Sequence, residues 1–458
     1  MNNIFRKKIL VYAVGTIAII YLLFEIVYSI FFAGIGCDSG YYLQAIEYVN
    51  KGMMPYSDFQ FSYTPGLFIF APIKSMLGLH YCYTFDMTFF WMLELLCSLL
   101  VYKLCRLMSI SKNYSIAASI FFSIVAVRAD GASFLLEIPS VLCGLGALYL
   151  ILSRNNWWSL LLAGIGAGLA FMFKQYGLGF FVLCIYAILI SQSKRFKSIS
   201  IYTLGFLLVM GIAYYIFGDG LVSLFINSNY RGFDSVDADL CSKLLLMGKI
   251  YIKFLIPIVI FLPVALFGIP RDILFEHKWK LLLLLFGILG FALQFYFGAF
   301  AHYGMYNLPF ITIAIFFVLQ NIAVRKFKIL WAVLIVLNIL YCIALGIKGH
   351  IHLNNSRVKQ EFLAEKLKQF VRDGETVLTY DNELMCYYYI ADMIPPCVEK
   401  YGLSFGNEAI DRIHEQITQT DYVLKTQDAY MFTSEFDEEF NAFQLIEIDK
   451  YQLFKRVR

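Results

Sequence analysis

The stretch most able to do chemistry begins where the first long apolar run ends. It reads Gly-Cys-Asp-Ser-Gly-Tyr-Tyr over residues 36–42 and continues to Asp58 and Thr64-Pro65-Gly66. Asp38 follows the apolar run directly, and partial loss of water there raises the pKa of a carboxyl group, which suits a general base. The other interpretation is an N-cap of the following helix, because aspartate is a preferred capping residue. The residues alone leave both interpretations open.

The composition predicts a membrane protein. Of the 458 residues, 60% are hydrophobic and only 15% are charged, which is more apolar surface than a soluble chain of this size can bury. The net charge is +4, and the basic residues form short clusters between apolar runs rather than one basic face. We therefore expect a lipid bilayer as a partner and no nucleic acid.

The apolar runs predict about eleven transmembrane helices, because roughly 20 helical residues span a bilayer. They lie at 9–33, 83–108, 114–128, 137–152, 158–173, 177–192, 199–217, 249–269, 280–299, 306–323 and 328–347. The first run is too long for the core of a cleaved signal peptide, so we interpret it as a retained span.

Basic residues orient these spans. If the spans alternate strictly, six basic clusters fall on one side, and the positive-inside rule makes that side the cytoplasm. The clusters begin at Arg6, Lys103, Arg154, Lys194, Arg271 and Arg325. The N-terminus is then cytoplasmic, and residues after 347 are extracytoplasmic, in what we expect to be a bacterial plasma membrane.

Two further regions complete the predicted fold class, an α-helical polytopic membrane protein with a small extracytoplasmic α/β domain. The first outer loop, 34–82, carries helical patterns at 39–49 and 67–79 that are too short to cross and are predicted to lie in the membrane interface. The predicted domains are therefore 1–348 in the membrane and 349–458 outside it. In the second domain, the spacing of Val358, Phe362, Leu367 and Phe370 indicates a helix. Strands are predicted near 376–380, 422–424 and 443–454, and a helix at 407–418.

Other candidate residues gather at the same predicted membrane face. Asp58 and Glu137 could orient an acceptor or bind a metal, although a turn after Pro55 and a helix N-terminus explain them equally well. The candidates for holding a phosphate are Lys174, Arg128, His302 and Tyr303, with Arg231 as a weaker one. Ordinary snorkelling, ion pairing of Arg128 with Asp130 or Glu137, and interfacial anchoring are the alternatives. A Cys386–Cys397 disulfide is possible but cannot be established from one sequence.

The layout resembles the GT-C superfamily of membrane glycosyltransferases. The residues that carry the resemblance are the Asp38 phrase, Gly52-Met-Met-Pro-Tyr-Ser-Asp58 and Tyr63-Thr-Pro-Gly66 in the first outer loop. The most similar branch contains the bacterial relatives of protein O-mannosyltransferases and the aminoarabinose transferase of lipid A (glycosyltransferase family 39-like). Two departures are that Ser39 follows Asp38 where many relatives have an acidic pair, and that Thr64 stands where the aminoarabinose transferase has a lysine.

The resemblance implies transfer of a hexosyl or pentosyl group from a polyprenyl-phosphate donor to a lipid, glycan or protein acceptor outside the cytoplasm. Asp38 would take the acceptor proton, a cation would offset the charge on the leaving phosphate, and the configuration would invert. The sequence leaves the need for a divalent metal ion undetermined.

Two other functions compete. A transporter or flippase for a lipid-linked saccharide is suggested by Glu94, an acid inside a predicted span. A polysaccharide polymerase or ligase would share this general topology, but it usually places arginines in large outer loops, and here the 218–248 loop contains only Arg231.

Overall fold

The structure is a computed structural model. It describes residues 2–59, 61–154, 156–226, 268–292, 301–352, 357–379, 386–394, 416–426, 440–448 and 451–457, with isolated positions 248, 255, 258, 265 and 384. The predicted span at 249–269, Arg231, Cys397 and most of the predicted 407–418 helix lie outside the described residues.

Most of the described chain is helical. The helices are α1 (Asn2–Phe31), α2 (Cys37–Asn50), α3 (Phe70–Leu77), α4 (Tyr83–Leu107), α5 (Lys112–Ala126), α6 (Glu137–Ser153), α7 (Trp157–Phe173), α8 (Leu178–Ser191), α9 (Arg195–Ile226), α10 (Arg271–Glu276), α11 (Lys278–Ala292), α12 (Leu308–Asn321), α13 (Arg325–His352), α14 (Arg357–Phe370) and α15 (Tyr387–Ile390). Shorter 3₁₀ segments lie at Pro65–Ile69, Gln175–Gly177 and Ala301–Tyr306, and Val127–Gly131 forms a π-helical turn.

The predicted spans within the described residues correspond to helices. Five stretches are long and apolar enough to cross a membrane: Ala13–Phe31, Tyr83–Leu107, Lys112–Gly131, Arg195–Val222 and Arg325–His350. The apolar helices α6, α7, α8 and α12 are shorter, at 14 to 17 residues each. We call the end of the bundle where α1 leads into α2 the Asp38 end.

The first helix of the outer loop was predicted correctly in position. It begins after Gly36 and ends at Asn50, with Lys51 as its C-cap and Gly52 next, whose positive φ of 87° is easily adopted by glycine. The expected single apolar stripe is wrong, because all ten residues from Ser39 to Tyr48 are buried. Other parts of the protein therefore cover α2 on all sides over this stretch.

The C-terminal part forms the predicted α/β arrangement. Four strands, β1 (Val377–Leu378), β2 (Tyr422–Thr426), β3 (Phe443–Ile448) and β4 (Tyr451–Arg456), form one sheet in the order β1-β2-β4-β3. The β1–β2 pair is parallel, whereas β2–β4 and β3–β4 are antiparallel. The alternating stretch 443–454 is therefore two strands of one hairpin.

Helix α14 shows that the spacing of apolar residues does not by itself predict which face of a helix is buried. Of the four residues that predicted it, Val358 and Phe362 are exposed, while Leu367 is buried. Its buried face includes Gln360, whose side-chain amide pairs with both backbone groups of Ile35, at 2.7 Å to N and 3.0 Å to O. The C-terminal part thereby holds the short connection that leads into α2.

Candidate active site

Asp38 lies in the first turn of α2. The N-cap of this helix is Gly36, and no side chain makes a capping hydrogen bond. The capping interpretation of Asp38 is therefore not supported, although a carboxylate in the first turn still favours the positive end of the helix dipole.

Three contacts fix the start of α2. The Ser39 hydroxyl donates to the backbone oxygen of Phe134 at 3.1 Å. A β-carbon on Gly40 would lie 2.5 Å from the Cα of Cys386, so only glycine allows the C-terminal part to approach this closely. Together with the Gln360–Ile35 pair, these contacts set where the Asp38 side chain stands.

A buried ion pair lies beside this helix start. Lys174, just after α7, pairs with Glu137, the first residue of α6, and both side chains are at most 2% exposed. The lysine follows an apolar helix and has an extended backbone, with φ of −157°. The second carboxylate oxygen of Glu137, Oε2, is buried and makes no hydrogen bond with any residue that the structure describes. A buried oxygen without a partner is costly, and a bound ligand is one way to satisfy it.

Two more titratable side chains face the ion pair. His302 lies between two carboxylates, with Nε2 3.7 Å from Glu137 Oε1 and Nδ1 3.7 Å from Asp130 Oδ2. Asp130 belongs to the π-helical turn and has a left-handed φ of 61°. Single π-helical turns are frequent at functional sites, and a left-handed aspartate there is consistent with that pattern.

Aromatic rings enclose the lysine. The Lys174 ammonium lies 5.1 Å from the ring centre of Tyr63 and 5.2 Å from that of Tyr303. The Tyr63 ring packs edge-on against Tyr42 of α2 at 5.4 Å. The segment that carries Tyr63 is held by the Thr64 hydroxyl, which donates to the Phe171 carbonyl at 3.0 Å. These contacts connect α2, the 61–66 segment and α7 around one charge.

The electrostatics place Asp38 in the same cluster. Burial raises the pKa of Asp38 above the ordinary aspartate range, and the positive charges of His302 and Lys174 offset part of that rise. Glu137 and Asp130 raise it further as like charges. Asp38 is thus a carboxyl group that takes up a proton more readily than usual, within the electrostatic reach of Lys174 and His302.

The other two candidates lie elsewhere. Asp58 is exposed, and its Oδ2 accepts a 2.7 Å hydrogen bond from the backbone N–H of Met54, which is the role of a turn residue. Arg128 makes no ion pair with Asp130 or Glu137, so the pairing that stood as the alternative to phosphate binding is not found. Arg128 lies beside α13, where a β-carbon on Gly349 would be 3.8 Å from its Nη1.

Among the described residues, no three His, Cys, Asp or Glu side chains come close enough together to hold a metal ion.

Two residues of the cluster were not predicted as site residues from the sequence. Asp130 was considered only as a partner for Arg128, and Tyr63 was not expected to contact a charge. Their positions follow from packing between separate segments, and the clearest sequence signal was the aromatic-Pro phrase that contains Tyr63.

Comparison with known proteins shows which solved structures have a similar fold. No protein-family model and no curated protein matches the sequence. Among solved structures, ArnT from Cupriavidus metallidurans bound to undecaprenyl phosphate aligns with a TM-score of 0.65 at 10% identity, covering 98% of each chain.

The archaeal oligosaccharyltransferase AglB from Archaeoglobus fulgidus, in complex with an inhibitory peptide and a dolichol-phosphate, aligns with a TM-score of 0.54 at 13% identity. That alignment covers 98% of this chain and 74% of AglB. At these identities the likeness shows the fold alone: the chain shares the fold of ArnT and AglB, as the sequence resemblance implied.

Proposed function

We propose that the protein is a membrane glycosyltransferase that moves a sugar from a polyprenyl-phosphate donor to an acceptor hydroxyl by inverting displacement. The observation that carries the proposal is Asp38, a carboxyl group with a raised pKa that lies within the electrostatic reach of Lys174 and His302. The shared fold supports it, because the similar structures of ArnT and AglB contain undecaprenyl phosphate and dolichol-phosphate respectively.

Asp38 is the proposed base. Its carboxylate takes the proton from the acceptor hydroxyl as the oxygen bonds to the anomeric carbon, and the bond from that carbon to the phosphate oxygen breaks. Positioned proton transfer of this kind contributes about 10²–10⁴-fold to a rate. The raised pKa brings the base closer to neutral pH, where a proton acceptor works best.

Lys174 and His302 are the proposed partners of the leaving phosphate. Negative charge grows on the phosphate as the bond breaks, and a preorganised cation stabilises it. Lys174 is held ready by Glu137 and two tyrosine rings. The unpartnered Oε2 of Glu137 is a suitable acceptor for a sugar hydroxyl.

The finer parts of the proposal rest on the sequence pattern. The basic clusters support an extracytoplasmic site with a cytoplasmic N-terminus. We also propose the two-domain division at 348/349 and transfer of a hexosyl or pentosyl group. Glu94, the residue that suggests a transporter, lies near Ser123, whose hydroxyl donates to Ser98 at 3.0 Å. Both carboxylate oxygens of Glu94 are buried and have no hydrogen-bond partner among the described residues, so this acid between α4 and α5 does not decide between transport and transfer.

The test is transfer from a polyprenyl-phosphate sugar by the full-length protein in vesicles. Asp38→Asn is expected to lose about 10²–10⁴-fold of the rate because the amide cannot accept the proton. Asp58→Asn is the matched control, since it removes the same charge from an exposed turn in the same loop, and it should keep most of the activity. An Asp38→Asn protein as active as the wild type would overturn the assignment of the base.

A further inference from the structure

Arg128 is a charged side chain that the proposed chemistry does not use. Its Nε atom is buried and has no hydrogen-bond partner, and no carboxylate lies within ion-pair distance of its guanidinium in the described part of the chain. Arg128 is half-buried, and a buried Nε–H without an acceptor is costly, so a missing anionic partner is one physical account of it.

Arg128 lies where α1, α13 and the π-helical turn contact one another, and we call this junction the Arg128 recess. A methyl group on Gly349 of α13 would lie 3.8 Å from Nη1 of Arg128. The next residue, His350, has a buried Nδ1 without a hydrogen-bond partner, while its Nε2 lies 2.9 Å from Glu25 Oε1. In its charged form this imidazole has an N–H group for Glu25 and a second one for another acceptor.

Exposed apolar side chains surround the recess on two helices that are long and apolar enough to cross a membrane. His350 packs against Tyr28 at 3.9 Å between ring centres and against Phe24 at 5.6 Å. Phe24 and Val27 of α1 and Ile347 of α13 are all exposed on these apolar helices. A ligand with a charged head and an apolar body would fit both parts of this surface.

The recess is separate from the reaction cluster. Asp130, two residues after Arg128 in the same turn, faces His302, whereas Arg128 faces α13. The turn therefore places the carboxylate of Asp130 toward His302 and the guanidinium of Arg128 toward α13.

We propose that the Arg128 recess binds the phosphate group of a membrane lipid, with the guanidinium as the main contact and His350 as the second. Arginine suits phosphate because its planar fork of N–H donors matches the phosphate oxygens. The lipid can be a polyprenyl phosphate or a bulk anionic phospholipid, since both offer the same group. This site is additional to the proposed active site and does not depend on it.

A purely structural account is that Arg128 balances Glu25 across Tyr21. Both charges act on the Tyr21 hydroxyl, but Glu25 already has His350 as a direct partner. The two accounts differ in what a lipid does, so binding is the appropriate measurement.

The experiment measures lipid binding to the full-length protein in detergent, by the lipid-dependent rise in melting temperature and by native mass spectrometry. The probes are two pairs: undecaprenyl phosphate against undecaprenol, and phosphatidylglycerol against diacylglycerol. Because the proposed active site would also bind undecaprenyl phosphate, the response that supports the Arg128 recess is stabilisation by a phosphate-bearing lipid that Arg128→Gln lowers and Lys174→Met leaves in place. The pair that shows this response identifies the source.

Arg128→Gln is expected to weaken binding of the phosphate lipid about tenfold or more, the loss of one charge-assisted contact. Lys348→Gln is the matched control, because it removes an exposed charge from the same end of α13 and should change affinity less than about twofold. Equal binding by Arg128→Gln and wild type, or equal stabilisation by the lipids without phosphate, would overturn the proposal.

Glu25→Gln keeps the test decisive where Arg128→Gln does not fold. Removing a negative charge beside the recess should tighten binding of the phosphate lipid. An unchanged affinity in Glu25→Gln would instead support the structural account.

Discussion

Two buried lysine–carboxylate clusters lie at the Asp38 end, and they differ in how completely their polar atoms are paired. The Lys74 ammonium lies 2.9 Å from Glu47 Oε1 and 2.8 Å from Asp86 Oδ2. Asp86 also accepts from the Tyr389 hydroxyl at 2.7 Å, and Glu47 accepts from the backbone N–H of Tyr81 at 3.1 Å. This cluster connects α2, α3, α4 and α15.

The second cluster, Lys174 with Glu137, leaves one carboxylate oxygen of Glu137 without a partner and places the lysine between aromatic rings. A fully paired cluster holds segments together, and a ligand there would have to displace an existing contact. A partly paired cluster gains from a ligand that completes it. Pairing, rather than residue type, therefore separates the structural lysine from the proposed catalytic one.

The largest expected effect tests this difference through stability. Lys74→Met should lower the free energy of unfolding by ~3–5 kcal/mol, because it leaves two carboxylates buried together. Lys174→Met should cost less, since His302 Nε2 lies 3.7 Å from Glu137 and can replace part of the lost charge. Equilibrium unfolding in detergent measures both, and a larger loss for Lys174→Met would contradict the comparison.

The second effect concerns the close contact between Gly40, at the start of α2, and Cys386. Gly40→Ala should destabilise the protein by ~1–3 kcal/mol, the usual range for overpacking. The added carbon would meet the backbone of Cys386 at 2.5 Å and displace the start of α2, so sugar transfer should fall as well. The control is Gly36→Ala, where an added β-carbon meets nothing within 4 Å. Similar losses in both variants would show that this contact does not position Asp38.

The smallest effect is a pH dependence. The pKa shifts at the two clusters have opposite signs, because the pKa of Asp38 is raised and that of Glu47 is lowered. The base works deprotonated, so its raised pKa should make transfer fall about tenfold per pH unit below that pKa, starting above the ordinary aspartate range. At Glu47, burial is the largest single influence and would raise the pKa. The Lys74 charge and the hydrogen bonds from Lys74, Tyr81 and His80 together outweigh burial and hold the pKa below the usual glutamate value. That group stabilises the fold above its unfolded pKa and loses this contribution only as pH falls through the lower folded value.

Activity and unfolding measured over the same pH series should therefore separate. Transfer should decline first on acidification, while the melting temperature holds to lower pH. A simultaneous decline of both would mean that loss of structure, rather than protonation of Asp38, limits activity.

Much of the helical framework could be predicted because its signal is local. About twenty apolar residues in a row need no long-range partner to indicate a membrane helix, and the runs at 83–108 and 328–347 match α4 and α13 closely. The sequence also placed Asp38 at the start of a helix. Which face of a helix would be buried was harder to predict from the sequence, as the exposed Val358 and Phe362 of α14 show.

By itself, then, the sequence determined a set of apolar helices, a small C-terminal sheet, and an acid at the end of the first helix. Only the tertiary structure decided that Lys174 pairs with Glu137, 37 positions away, and that Arg128 faces α13 instead of the cluster. The physical reason is that hydrophobic periodicity depends on neighbours along the chain. Charge pairing depends on which helix ends meet, and packing across the whole bundle sets that.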